Sequence, residues 1–321
     1  MADTRRAARE WAGSLDATPG NVLFLVGVSG GGDSVALAWA LSLEAAALDV
    51  SVGAVIVDHQ LQPGSAEVAS RAAAQMEAFG LSPVMVKTVF VEGTSNMEDN
   101  ARKARYQAFA EAVRETGAAG VALAHTLDDQ AETVLLGLAR GRGPSGLKGM
   151  ADKDGLYHRP FLGLTRETLR QALRDAGINW WDDPHNDDES FARVSVRKNV
   201  IPVLEKVLGP GVSEALARTA ELFREDSATL DFQAEEWFHE HVTERAGECS
   251  VAVSDLAGLG SALQTRVLRA MVVAVGGSTP SYTHTKQMVK LIHEWRGQSS
   301  LNLSGASVER KDGRIIAVAS K

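Results

Sequence analysis

An α/β fold, with a parallel sheet covered on both faces, a long helix and then a small α+β unit, is predicted by three features of the sequence. Strand-sized apolar runs alternate with helix-length amphipathic stretches from Val22 to Ala139. A glycine-rich turn follows the first of those runs, and one helical pattern continues unbroken from Val212 to about Ala246. Alternation of this kind signals βαβ units, and in such sheets ligands gather beyond the carboxyl ends of the strands.

The predicted strands are 22–28, 50–58, 84–91 and 120–125, and the helices between and after them are 33–48, 66–79, 98–115 and 127–139. Together they make a Rossmann-like sheet. The chemically capable residues fall at its strand ends: the glycine loop after the first strand, Asp58 and His59 after the second, and His125 after the fourth. A further helix is predicted at 165–176. The apolar stripe of Leu216, Ala220, Phe223, Leu230, Ala234, Trp237, Phe238 and Val242 makes 212–246 a packed helical linker. The expected division is therefore 1–211 for the catalytic domain, 212–246 for the linker and 247–321 for the small C-terminal domain.

With 321 residues the chain is long enough for two cores, since single cores stop growing near ~250–300 residues. Its charged N-terminus lacks the apolar region of a secretory signal, and no apolar run is long enough to span a membrane. One cysteine, Cys249, excludes a disulfide framework and a cysteine zinc site. A reducing, cytoplasmic setting is expected. The net charge of −8 argues against nucleic acid, but its distribution answers that objection. Residues 213–248 carry ten acids against three arginines, whereas 140–174 carry eight bases against three acids and 249–321 nine against four. Two basic regions are left to meet phosphates.

Ser29-Gly30-Gly31-Gly32-Asp33-Ser34 lies between a strand and a helix, as a phosphate cradle requires. Glycines let backbone N–H groups close around an anion at a helix N-terminus. The spacing approaches a Walker A loop, except that Asp33 stands where that loop has its lysine. An acid there cannot neutralise phosphate oxygens, but it can hold a Mg²⁺ ion that does. A second constellation opens the 127–139 helix: His125, Asp128, Asp129 and Glu132 put several carboxylates within one turn. Acids in a first turn complement the helix dipole, yet three of them with a histidine exceed that need and suit a cationic amine or Mg²⁺. Arg102, Lys103 and Arg105 add a basic helix face upstream.

These elements occur in order with the 140–150 stretch, which ends Gly-Leu-Lys-Gly-Met, and with Asp183-Pro184-His185-Asn186-Asp187 leading to Arg193 and Arg197. In this combination the chain resembles the tRNA(Ile)-lysidine synthetases of the PP-loop ATP pyrophosphatase superfamily (adenine nucleotide alpha-hydrolase-like). The resemblance is strongest over about 20–205 and looser in the C-terminal unit, at Lys290-Leu291-Ile292 and Leu301-Asn302-Leu303-Ser304-Gly305. It is to a short form without a second C-terminal domain.

The resemblance implies a ligase using ATP and Mg²⁺. ATP adenylates the C2 oxygen of the wobble cytidine in a CAU-anticodon tRNA(Ile), and L-lysine then displaces AMP through its ε-amine. It implies that Ser29, Gly30, Gly31, Gly32, Asp33 and Ser34 bind ATP, with Asp58, His59 and His125 beside the nucleotide. Asp33 and Asp128 would be the metal acids, and Asp129 and Glu132 the lysine pair. Arg105 and Arg197 would be cations for the activated cytidine or the phosphates. A homodimer stays open among the partners, and no membrane is expected. Two departures fall near Arg193: Val194 replaces the usual Asn, and His185 replaces the Ser often found before Asn186.

Three other readings compete. A tRNA thiolase of the same superfamily uses a cysteine pair or an iron–sulfur cluster, and Cys249 alone makes no pair. An amidating ligase needs ammonia, usually from a glutaminase domain, and none is evident. A non-catalytic ATP-binding module needs the glycine loop but has no use for the acid cluster or Arg105.

Overall fold

The computed structural model describes residues 1–15, 22–60, 64–90, 97–141 and 143–320. The chain divides into two compact units, Met1–Glu221 and Leu222–Lys321, with the boundary inside one long helix.

The first unit holds the sheet expected from the sequence. Its strands are β1 (Val22–Val28), β2 (Val50–Asp58), β3 (Val84–Thr88), β4 (Gly120–Ala122), β5 (Lys153–Asp154) and β6 (Tyr157–His158), in the order β3-β2-β1-β4-β6-β5. All neighbours are parallel except the β5–β6 hairpin at one edge. The helices are α1 (Ala2–Gly13), α2 (Gly32–Glu44), α3 (Ser65–Ala78), α4 (Met97–Thr116), α5 (Leu127–Ala139), the single turn α6 (Pro144–Leu147), α7 (Arg166–Ala176), the short α8 (Ala192–Ser195) and α9 (Ile201–Leu208).

Alternation along β1 explains the two covered faces. Phe24, Val26 and Val28 pack into one core with residues of α1, α2, α3 and α7, while Leu25 enters a second core with Phe109, Ala112 and Val113 of α4. Gly27 is required by close approach, because a Cβ there would come within 2.8 Å of Leu123 and 2.9 Å of Phe109. Helix α1 is held by more than apolar contact. Arg5 and Arg9 pair with Glu44 at the end of α2, and Trp11 Nε1 donates to His158 Nδ1 at 3.2 Å.

Three boundaries differ from expectation. Strand β3 stops at Thr88, and Val91 lies outside the described residues. Strand β4 ends at Ala122, so His125 sits on the loop beyond it and not on the strand. The long helix α10 (Val212–His241) ends before Ala246, because the chain turns there into an antiparallel hairpin of β7 (Thr243–Arg245) and β8 (Glu248–Ala252) around Gly247 at φ +74°.

The second unit completes that hairpin into an antiparallel sheet, β7-β8-β11-β10-β9, with β9 (Leu301–Leu303), β10 (Ala306–Lys311) and β11 (Arg314–Ala319). Helices α11 (Val253–Ala257), α12 (Ser261–Ala274) and α13 (Tyr282–His293) bury Leu256, Leu268, Met271, Met288 and Leu291 against Val251, Val308 and Ile315. Cys249 lies buried on β8. Among the described residues no helix is long and apolar enough to cross a membrane.

Candidate active site

The glycine loop leaves β1 and becomes the first turn of α2, with Gly31 as N-cap. Gly30 takes φ +83°, which L side chains disfavour, and its carbonyl accepts from Trp181 N at 3.0 Å. The serines brace the turn: Ser34 Oγ donates to the Gly31 carbonyl at 2.9 Å, and the Ser29 amide donates to Ser34 Oγ at 3.2 Å. Trp180 packs over Gly32, 3.4 Å from where a Cβ would stand. First-turn N–H groups have no carbonyl partner within the helix, which leaves this turn ready for an anion.

Across the sheet, Thr126 caps α5. Its side chain accepts from the Asp129 amide, and Asp129 Oδ2 accepts from both the Thr126 amide and its hydroxyl, at 2.8 and 2.9 Å. One carboxylate oxygen of Asp129 therefore serves the cap, as acids in a first turn commonly do. The other, Oδ1, accepts from Arg166 Nη2 at 3.0 Å. Glu132, one turn on, is fully buried and accepts from Arg197 Nε at 2.7 Å and Nη2 at 3.2 Å.

Arg166 is the hub of this cluster. Its main-chain N–H donates to Asp128 Oδ2 at 2.7 Å, its Nε to Asp33 Oδ2 at 3.1 Å, and its Nη1 lies 3.7 Å from Glu132 Oε1. Asp33, Asp128, Asp129 and Glu132 thus converge on one residue, and only 14 % of its side chain is exposed. A cleft opens here, lined by Ser29, Gly31, Gly32, Asp33, Ser34, Asp129 and Arg197 with Arg166, Arg170, Trp181, Asp182 and Asn186.

Protonation follows from burial and neighbours. Burial pushes the Asp33 carboxyl up, beyond what Arg166 recovers, and Asp129 adds to the rise. Glu132 is likewise raised by burial despite its Arg197 partner. For Asp129 burial acts in the same direction, but Arg166, His125 and the Thr126 amide outweigh it and hold the group below its ordinary range. Within the cluster these environments separate an ionised acid from acids that protonate readily.

Arg197 rides on an irregular helix. Between α8 and α9, residues Val196–Val200 form a π-helical turn. Pro202 explains the widening: it has no N–H to give to the carbonyl four residues back, and its ring crowds that carbonyl. Arg193, on α8, reaches the same acid from 3.9 Å and donates to Thr133 Oγ1 at 3.3 Å. Val194 is buried, so an apolar residue suits that position, and Arg193 keeps its approach to Glu132. The side chain of His185 lies outside the described set.

Asp58, His59 and Arg105 are not among the cleft-lining residues; the first two stand at the end of β2, where Arg105 meets His59. Asp58 Oδ1 accepts from the Gln60 amide at 2.9 Å, and Arg105 Nε donates to His59 Nε2 at 3.3 Å. His125 precedes the Thr126 cap without lining the cleft. Both histidines are lowered to about 4, chiefly by burial, and each has a buried Nδ1 without a hydrogen-bond partner. A histidine whose folded pKa lies below its unfolded value of 6.5 lends stability above pH 6.5, and loses it as pH falls toward 4. The melting temperature is expected to drop between pH 7 and 5, with a shallower slope in a His59→Asn, His125→Asn double variant; equal slopes would show that these histidines are not responsible.

Asp33 Oδ1 is buried with no partner. An orphaned acid oxygen beside a phosphate cradle fits a cation. Among the described residues no group of three or more His, Cys, Asp or Glu could hold a metal ion. Mg²⁺ needs none, since it is commonly held by one or two carboxylates together with phosphates and waters.

Sequence reasoning did not single out Arg166, Arg170, Trp181 or Asp182. Arg166 had a signal: it is the first residue of α7 after the Thr165 cap, where the helix dipole disfavours a cation. The basic 140–174 region is also not one phosphate-facing surface. Arg166 turns inward onto acids, Arg159 is buried against the Ala151 carbonyl, and Arg142 lies outside the described residues.

Residues 6–204 match the PP-loop domain family, and residues 252–316 match the TilS substrate binding domain family. The fold and the glycine loop at the end of β1 thereby define a PP-loop ATP-using protein. The U34-tRNA thiolase NcsA of Methanococcus maripaludis has a similar fold, with a TM-score of 0.57 at 18% identity over 70% of this chain and 79% of its own. Much closer in sequence are the tRNA(Ile)-lysidine synthase of Leifsonia xyli, 52% identical over 91% of this chain and 89% of its own, and that of Thermobifida fusca, 44% identical over 98% and 95%. The chain belongs to the tRNA(Ile)-lysidine synthase family.

Proposed function

We propose that this protein ligates L-lysine to C2 of the wobble cytidine of a CAU-anticodon tRNA(Ile). The observation that carries the reading is the meeting at one cleft of the glycine loop that follows β1 and Asp129, with Glu132 buried behind it against Arg197. In the first step the cytidine C2 oxygen attacks the α-phosphorus of ATP; a P–O bond forms and the α–β bridge breaks, releasing pyrophosphate. In the second the lysine ε-nitrogen attacks C2; the C–N bond forms, the C2–O bond breaks with AMP, and the amine proton is lost. Adenylation turns a poor leaving group into a good one.

Each group has a place in that scheme. The loop amides would hold the polyphosphate, and Arg170 and Arg197 would face its oxygens across the cleft. Asp33 would hold Mg²⁺, with Asp128 as the nearby second acid. Bound there, Mg²⁺ neutralises phosphate charge. Asp129, kept ionised, would orient the lysine ammonium, and Glu132, whose proton affinity is raised, would accept the proton the amine must shed before attack. Arg105 and His59 would meet the tRNA or nucleoside from the end of β2. Cytoplasmic location, and a second copy of the chain as partner, belong to the same reading.

The test is pyrophosphate release from ATP and Mg²⁺ with a tRNA(Ile) transcript, with and without labelled lysine. Release should require tRNA, and label should enter the tRNA. Release without incorporation would leave the nucleophile wrong, and ATP binding without any release would favour a nucleotide-binding module. A thiolase reading is weakened by Cys249, buried on β8 and distant in sequence from the loop. Phosphate contacts are assigned to Arg140, Arg142 and Lys148. Reversing these three charges is expected to weaken tRNA binding and reduce its log–log salt slope by about 2; an unchanged slope would move the tRNA surface elsewhere.

A further inference from the structure

We propose that Arg166 guards the lysine subsite: without nucleotide its guanidinium takes the place of the lysine ammonium, and ATP binding draws it away, so lysine binds after ATP. The inference rests on the reading of Asp129 and Glu132 as the amine pair.

The acceptors are already taken. Asp129 Oδ2 is consumed by the Thr126 cap, and its Oδ1, the oxygen an ammonium would need, is held by Arg166 at 3.0 Å. Arg197 holds both oxygens of Glu132, and Arg166 Nη1 stands 3.7 Å from Oε1. Buried acids of this kind need a cation at all times, because an uncompensated buried charge is strongly unfavourable. Arg166 supplies it when no substrate does. Arg197 already shares these acids with Arg166, 4.0 Å from Asp129 Oδ1 and 2.7 Å from Glu132 Oε1, so a third cation at the same oxygens while Arg166 stays would add like-charge repulsion in a partly buried site.

The way out is equally local. The Arg166 main chain is fixed by Asp128, so only its long side chain has to move. It reaches Asp33 in the glycine loop, and it lines the same cleft as that loop and Arg170. Phosphate oxygens bound to the loop would offer Arg166 an alternative anion, while a cation on Asp33 would compete directly for one of its present partners. Moving the guanidinium toward the phosphates frees Asp129 Oδ1 for an ammonium. Arg166 is thus a positioning residue that sets the order of binding, and its unfavourable place at the start of α7 is consistent with a role other than helix stability.

Lysine binding to the full chain decides it, measured by calorimetry with and without Mg²⁺ and α,β-methylene ATP, and again with tRNA transcript present. Wild-type protein should bind lysine at least about tenfold more tightly with the analogue. Arg166→Gln should bind lysine without nucleotide as tightly as wild type does with it, and Arg166→Lys should restore the dependence. A gain in affinity is not expected from mere structural damage, and if Arg166→Gln fails to fold, the wild-type arms decide alone. Equal wild-type affinity with and without the analogue overturns the guard but leaves the lysine pair standing. Analogue binding with no lysine binding under any condition overturns the pair and the guard together.

Discussion

Asp33→Asn is expected to slow tRNA-dependent pyrophosphate release on the order of 100-fold or more, a loss typical of removing one preorganised electrostatic contact. The substitution keeps the shape of the side chain and removes its charge. Asp33 Oδ1 is buried without a protein partner, so an incoming cation is what the ionised group is suited to meet. The same burial gives the prediction its control. Because the folded-state pKa is raised, ionised Asp33 costs stability near neutral pH, and that cost diminishes as pH falls through the folded value. A neutral amide avoids it, so the melting temperature should hold or rise while release collapses. Near-normal release would remove Asp33 from the ATP step; collapse with a large fall in melting temperature would make its role structural.

Glu132→Gln is expected to split the reaction. Pyrophosphate release should stay within about threefold of wild type, while lysine incorporation should fall by roughly 100-fold or more, the range general-base catalysis contributes. Glu132 is fully buried, and Arg197 grips both its oxygens. Gln retains one oxygen for that grip but gains no negative charge and accepts no proton from an amine. Adenylated tRNA should therefore accumulate and be detectable as AMP attached to the transcript. Equal losses in release and incorporation would place Glu132 in the first step, with Arg197 as the group through which it acts.

Much of this protein was legible in the sequence where the signal is local. The glycine loop, its strand and the start of α2 follow from a dozen consecutive residues, and α5 spans Leu127–Ala139 as its spacing predicts. Asp33, Asp129, Glu132 and Arg197 were found because unusual residue types stand at motif positions, and they do meet at one cluster. His125 was misplaced by three residues relative to its strand, because a strand's end depends on its neighbours' pairing and β6 pairs only as far as Ala122.

The sequence by itself determined the fold class, the phosphate loop and the identity of the acids, since periodicity and backbone freedom are properties of short segments. Tertiary structure alone decided what those acids touch. Arg166 lies 133 residues from Asp33 and 37 from Asp129, and only the packing of α7 beside the loop turns a cation from an apparently solvent-facing basic region onto buried carboxylates. Packing likewise brought Arg105 against His59 at the end of β2 and split Asp129 between its own helix cap and the site. Where a charged side chain ends is fixed by the balance of desolvation against the partners that folding brings near, and those partners have no set spacing along the chain.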